Sequence, residues 1–245
     1  MINILFFGNS LMFYNDMPEL FARIAEANGK SVNVQSITRG SATVSDFTDE
    51  STVVGAKAIP LLRNNHWDFV IIEPSRRISP FENTVKEAEL SSSVKMQELV
   101  EAAGGEVVLY SVWGNNCGNA VEYCAQSPIS IHEVATRTIG RKTHTEFMHQ
   151  VNLEIAEALG GVKVALAGYA FENCIAKYPE IELYDPDLCH PSLSGSWLAA
   201  AVIYTAVFGE PVKKIPYEAG PAPAAGILGG IANDTTFGNL TPDLY

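Results

Sequence analysis

Two short segments, far apart in the 245-residue chain, carry side chains that could do chemistry together. Gly8-Asn9-Ser10-Leu11 follows the first apolar run, and Asp187-Leu188-Cys189-His190-Pro191-Ser192 comes 180 residues later by the Ser10-to-His190 count. A serine hydroxyl is a weak nucleophile until an adjacent base takes its proton. Histidine is the side chain that serves as that base near neutral pH. A carboxylate completes the set by fixing the imidazole tautomer, and Asp187 sits where one loop can present both groups. Gly8 lets the backbone bend, and the Ser10 N–H can face an oxyanion. Each segment also has a plainer reading. Asn9-Ser10 is a common turn pair, Asp187 can be a loop residue, and His190 can cap the helix that follows. The chemistry requires that the two segments meet.

Competing bases are few among the five histidines. His144 and His149 stand five apart, off a shared helix face. His132-Glu133 lacks the second histidine of a zinc-protease motif. His66 precedes Trp67 between elements. Cys189 adjoins His190, but neighbouring side chains normally diverge, so it reads as a small buried residue.

The elements that must position these residues alternate between short apolar runs and longer amphipathic stretches, which predicts βαβ units around a parallel sheet. Strands are expected over Ile2–Phe7, Ser31–Ile37, Phe69–Ile72, Val107–Val112 and Val162–Leu166. Helices are expected after Asp16, read as an N-cap before Pro18 and Glu19, and over Val53–Asn64, Asn83–Ala103, Ile131–Leu159, Tyr169–Lys177 and Ser194–Phe208. The expected fold is a three-layer α/β/α sandwich with a five-stranded parallel sheet. Residues 1–209 form its domain, and the Gly/Pro-rich segment 210–245 reads as an extended or irregular extension packed on it. That extension could cover a sheet edge, join a dimer interface or line the pocket, which leaves a homo-oligomer open. In such sheets ligands bind beyond the carboxyl ends of the strands. Ser10, Gly40, Glu73–Arg77 and Trp113–Asn116 all follow strand ends.

Sixteen basic against 28 acidic residues leave a formal charge of −12. That argues against nucleic acid or an anionic membrane as the main partner, since both need a basic footprint. A small neutral molecule is the compatible ligand. No uncharged apolar run is long enough to span a bilayer. The opening run leads straight into the Gly-Asn-Ser turn, without the plan of a signal peptide, so a cytoplasmic location is expected. The four cysteines match no metal or redox spacing and are expected as free thiols.

Taken in order along residues 2–209, these segments resemble the SGNH hydrolases, or GDSL esterases and lipases, whose sheet is flavodoxin-like. That resemblance implies a nucleophile at Ser10, a base at His190 and an orienting acid at Asp187. It implies oxyanion N–H groups at Ser10 and at Gly40 of Arg39-Gly40-Ser41, and no metal or organic cofactor. It suggests ester hydrolysis of a small acyl group, such as acetyl on a carbohydrate. A thioesterase, lysophospholipase or acyltransferase would use the same residues, and a ligand-binding domain could keep the pocket without the chemistry.

Two positions depart from the family pattern. Asn9 replaces the usual aspartate of the first block, outside the triad. After the third strand, Glu73-Pro74-Ser75-Arg76-Arg77 stands where the family has Gly-x-Asn, with its side-chain donor. An ionised glutamate cannot donate. Three accounts are open: a protonated Glu73 donates; Arg76, Arg77, Asn115 or Asn116 supplies the donor; or two backbone N–H groups suffice. Trp113 reads either as a pocket wall or as a packed core ring. Arg76-Arg77 reads either as a carboxylate-binding pair or as solvated charge. Trp113, Asn115, Arg76 and Arg77 are therefore the candidate substrate-binding residues.

Overall fold

A computed structural model describes residues 1–76, 78, 83–116, 140–217 and 224–238. Five strands, β1 (Ile2–Gly8), β2 (Val32–Thr38), β3 (Phe69–Ile72), β4 (Glu106–Ser111) and β5 (Lys163–Leu166), form one parallel sheet in the order β2-β1-β3-β4-β5. The strand order reverses between β1 and β3. Such a reversal opens a crevice at the carboxyl ends of the two strands.

β1 shows why the sheet lies in the middle. Parallel strands covered on both faces read as unbroken apolar runs. Ile4 and Phe6 face one layer, while Leu5 and Phe7 face the other. On the first side pack α2 (Met17–Ala27), α7 (Ala167–Lys177), α8 (Leu193–Phe208) and α9 (Ala224–Phe237). On the second side lie α3 (Val44–Thr48), α4 (Gly55–Asn64), α5 (Thr84–Ala102) and α6 (Arg141–Ala158). A one-turn helix, α1 (Ser10–Phe13), starts directly after β1.

Two expectations need correction. Asp16 does not cap α2 with its side chain; it and Asn15 both hold a left-handed backbone at φ 54. The segment after Gly209 is not irregular throughout, because it contains α9. The reason lies in α8, which is apolar all round and buried from Gly195 to Val207. Such a helix needs cover on every side. Leu228, Ile231 and Ala232 of α9 join the core that surrounds it. Asn233 exchanges two hydrogen bonds with the Val212 backbone, at 2.8 and 2.9 Å. The expected residues Arg77, Cys117, Cys124 and His132, and the first part of the Ile131–Leu159 helix, lie outside the described residues.

Candidate active site

The ends of β1 and β3 leave the sheet side by side, since Phe7 is paired with Ile72. The Glu73 N–H donates to the Phe7 carbonyl at 3.0 Å, and the Arg39 N–H donates to the Gly8 carbonyl at 3.2 Å. Three strand-end loops are thereby held at one level. Asn9 caps α1 by accepting the Leu11 N–H on Oδ1 at 3.2 Å. This cap presents Ser10 as the first helical residue.

The loop before α8 closes over that serine. Ser10 Oγ lies 2.8 Å from His190 Nε2, and His190 Nδ1 lies 2.5 Å from Asp187 Oδ2. The other Asp187 oxygen accepts the Cys189 and His190 N–H groups, both at 2.9 Å. One carboxylate therefore folds its own loop and holds the imidazole. The fold is tight enough to put Leu188 at φ 59. Burial opposes ionisation of Asp187, but its hydrogen bonds to His190 and to the two N–H groups outweigh that and keep its pKa below the ordinary value. The Cys189 side chain and the Asp187 carboxylate raise His190 to about 9, against partial burial.

The neighbouring loops brace this segment. The Trp113 indole N–H donates to the Cys189 carbonyl at 3.1 Å, and the Asn116 N–H donates to the Leu188 carbonyl at 2.8 Å. Trp113 is fully buried, stacked on Phe171 at 3.7 Å between centroids. It supports the histidine loop and offers no ring face to a ligand, which corrects the pocket-wall reading. Arg76 is part-buried and turns its guanidinium onto the protein: Nη1 donates to Asn115 Oδ1 at 2.5 Å and Nη2 points at Cys189 Sγ at 2.9 Å. Because a guanidinium only donates, this contact fixes the Asn115 amide with its oxygen toward Arg76. The amide nitrogen donates to no described residue. Asn116 Oδ1 accepts from Arg141, which also grips Glu172 through Nε and Nη2 at 2.9 and 3.0 Å.

Glu73 is the feature that the sequence left most open. It is 1% exposed, and Oε2 accepts the Asn9 N–H at 2.9 Å from beneath the serine turn. Its other oxygen is buried without a partner. Burial pushes its pKa up to about 7, against the Asn9 N–H and Arg76, with the nearby Glu89 adding to the rise. Gly8 is tightly packed here, because a Cβ would stand 2.6 Å from Glu73 Oε2 and 2.7 Å from Met12 Sδ, so both side chains would have to shift. Glu89 from α5 does the same for the next loop: it is buried, accepts the Ser75 N–H at 3.0 Å and is also pushed up to about 7 by burial. Nothing in the sequence marked Glu89, whose helix is only weakly amphipathic.

Gly40 follows β2 in an exposed turn, beside Ser41 at φ 60. The Ser10 and Gly40 N–H groups donate to no described residue. Among the described residues, Asp187, Cys189 and His190 are the one grouping whose ligand atoms lie together, within 4.8 Å. Those of Asp187 and His190 are bonded to each other, and the sulfur faces Arg76. No described helix is long and apolar enough to cross a membrane.

The chain matches no protein-family model and no curated protein. Solved structures do resemble it. A proposed SGNH hydrolase from Slackia heliotrinireducens is 28% identical, with a TM-score of 0.64 over 84% of this chain and 98% of its own. A DUF4886 family protein from Bacteroides uniformis has a TM-score of 0.75 at 15% identity, covering 96% of this chain and 95% of its own. An acetyl xylan esterase, AlAXEase, has a TM-score of 0.52 at 12% identity, covering 84% of this chain and all of its own. The fold is that of the SGNH, or GDSL-like, hydrolases. Within that superfamily the resemblance supports a hydrolase.

Proposed function

We propose that the protein is a carboxylic ester hydrolase that works through Ser10, His190 and Asp187. The observation that carries this reading is the 2.8 Å contact between Ser10 Oγ and His190 Nε2, with Nδ1 already held by Asp187. That is hydrogen-bond reach for direct proton transfer.

Ser10 Oγ attacks the acyl carbonyl as His190 takes its proton. The carbonyl oxygen gains negative charge, and the Ser10 and Gly40 N–H groups donate hydrogen bonds to it. Ser10 begins a short helix, so the turn aims backbone donors at the developing charge. Asn115, whose amide nitrogen donates to no described residue and whose orientation is set by Arg76, is a candidate side-chain donor. The ester C–O bond then breaks, and the departing alcohol takes the proton from His190. Water, deprotonated in turn by His190, attacks the acyl-serine and releases the acid. Asp187 keeps Nδ1 protonated and stabilises the imidazolium in both halves.

The resemblance extends this to a small acyl group, acetyl on a carbohydrate or another small ester. Thioesters, lysophospholipids and acyl transfer are the same-fold rivals, and a panel of acetyl, butyryl and long-chain p-nitrophenyl esters ranks them. A fluorophosphonate probe tests the core of the reading. Labelling is expected on the wild type and absent from Ser10→Ala. A wild type that stays unlabelled from pH 6 to 10, while folded, refutes it.

A further inference from the structure

The Tyr14 ring lies flat on the imidazole of His190. Their centroids are 4.0 Å apart and their planes are 8° from parallel. Tyr14 comes four residues after Ser10, directly behind α1, and the Phe13 ring stacks against it at 5.8 Å. The backbone around this stack is tied from both segments. Asn15 Nδ2 donates to the Pro191 carbonyl at 3.0 Å and to Ser196 Oγ at 2.9 Å. Ser196 Oγ in turn donates to the Tyr14 carbonyl at 3.3 Å. Asn15 reaches Pro191 and Ser196 from a left-handed backbone, a conformation asparagine tolerates better than most residues. These ties fix the residue after Tyr14 against the residue after His190, so the two rings cannot slide apart independently.

The imidazole is thus held at Nδ1 by Asp187, at Nε2 by Ser10 and across one face by Tyr14. Each edge contact alone leaves the ring free to tilt about the line joining the two nitrogens. A flat aromatic neighbour removes that freedom. An aromatic face also attracts a cation placed over it, and a neutral His190 becomes one as it takes the serine proton. The charged and titratable groups around the pair are Asp187, Asp185 and Cys189, with Arg76 behind the sulfur.

We propose that Tyr14 is a positioning residue for the reaction: its ring locks the plane of His190 and favours the imidazolium formed as Ser10 attacks. This rests on the hydrolase reading above. The ring matters and the hydroxyl does not, so phenylalanine should replace tyrosine and an aliphatic residue should not.

The test follows the His190 ring by NMR across pH 6–10.5 in wild type, Tyr14→Phe, Tyr14→Leu and Tyr14→Ala, with kcat and KM on an acetyl ester for each. The aliphatic variants should lower the His190 titration midpoint by about half a pH unit and lower kcat on its alkaline plateau, where His190 is neutral in every variant, about three- to tenfold, with KM nearly unchanged. Tyr14→Phe should match the wild type in both. Tyr14 is only half-buried, and thermal melts check that each variant folds. An unchanged midpoint in the folded aliphatic variants overturns the proposal, as does a Tyr14→Phe variant that behaves like Tyr14→Leu. The midpoint is read without turnover. A shifted midpoint in a protein that never reacts with fluorophosphonate therefore supports the stack and sinks the hydrolase reading alone.

Discussion

Replacing Glu73 with glutamine should make the protein more stable in mild alkali and leave it little changed in mild acid. The carboxyl rises from an ordinary 4.5 to about 7 in the fold. At 1.36 kcal/mol per pH unit, ionising it inside the protein costs roughly 3 kcal/mol more than in the unfolded chain. Its folded pKa is raised, so the native state holds an extra proton between 4.5 and 7. Stability is therefore fully present below 4.5 and lost as pH rises through 7. Glutamine keeps an oxygen to accept the Asn9 N–H and has no charge to desolvate. Its NH2 enters the corner where Oε1 has no partner, which adds an offset of about 1 kcal/mol at every pH. That offset cancels when two pH values are compared. Urea unfolding of both proteins at pH 5 and pH 8 should show the variant gaining about 2–3 kcal/mol on the wild type between the two. Glu89 is also pushed up to about 7, so the variant should keep part of the wild-type slope. A stability difference that is the same at pH 5 and pH 8 would refute the reasoning, since it would mean that Glu73 is ionised throughout.

Three further outcomes follow from the geometry. His190 must be neutral to accept the serine proton, and its pKa is raised to about 9. The kcat/KM for an activated acetyl ester should therefore climb about tenfold per pH unit from pH 6 and level off near that value; a flat profile from 6 to 9 would contradict it. Gly8→Ala forces a methyl group against Glu73 and Met12 and should cost about 2–3 kcal/mol, seen as a fall of roughly 5–10 °C in Tm. Ending the chain after Gly209 uncovers one side of α8 and should give a protein that binds a hydrophobic dye and aggregates; a monomeric, dye-silent truncation would show that α9 is dispensable.

Much of the framework was legible because it follows from periodicity. β3 falls on Phe69–Ile72 as expected, and the other strands shift by one residue at their ends. A buried parallel strand cannot avoid an apolar run. Strand-end placement put Ser10 and Gly40 on the ligand face, and the family resemblance is what joined Asp187 and His190 to them. What the sequence concealed depends on burial and on long-range partners. Asp16 has the residue type of a cap, but the chain there is turned left-handed to bring Tyr14 and Asn15 against Pro191 and Ser196. Glu73 looks like an exposed loop acid, and only its position under Asn9 shows that it props the serine turn. Trp113 and Arg76 were open between two readings each, and their partner in both cases is Cys189, 76 and 113 residues away. α9 was missed because its own composition is poor in strong helix formers, although the all-apolar α8 required a cover.

The contact between Ser10 and His190 spans 180 residues, and that span sets a timetable during synthesis. β1 and the serine turn leave the ribosome well before the loop that completes them, which comes just ahead of α8. On the proposed mechanism the serine has no base until the His190 loop ahead of α8 has emerged and docked, and a shorter nascent chain should be chemically silent. Reactivity toward an acylating reagent would therefore report completion of the fold itself, not the arrival of any one element.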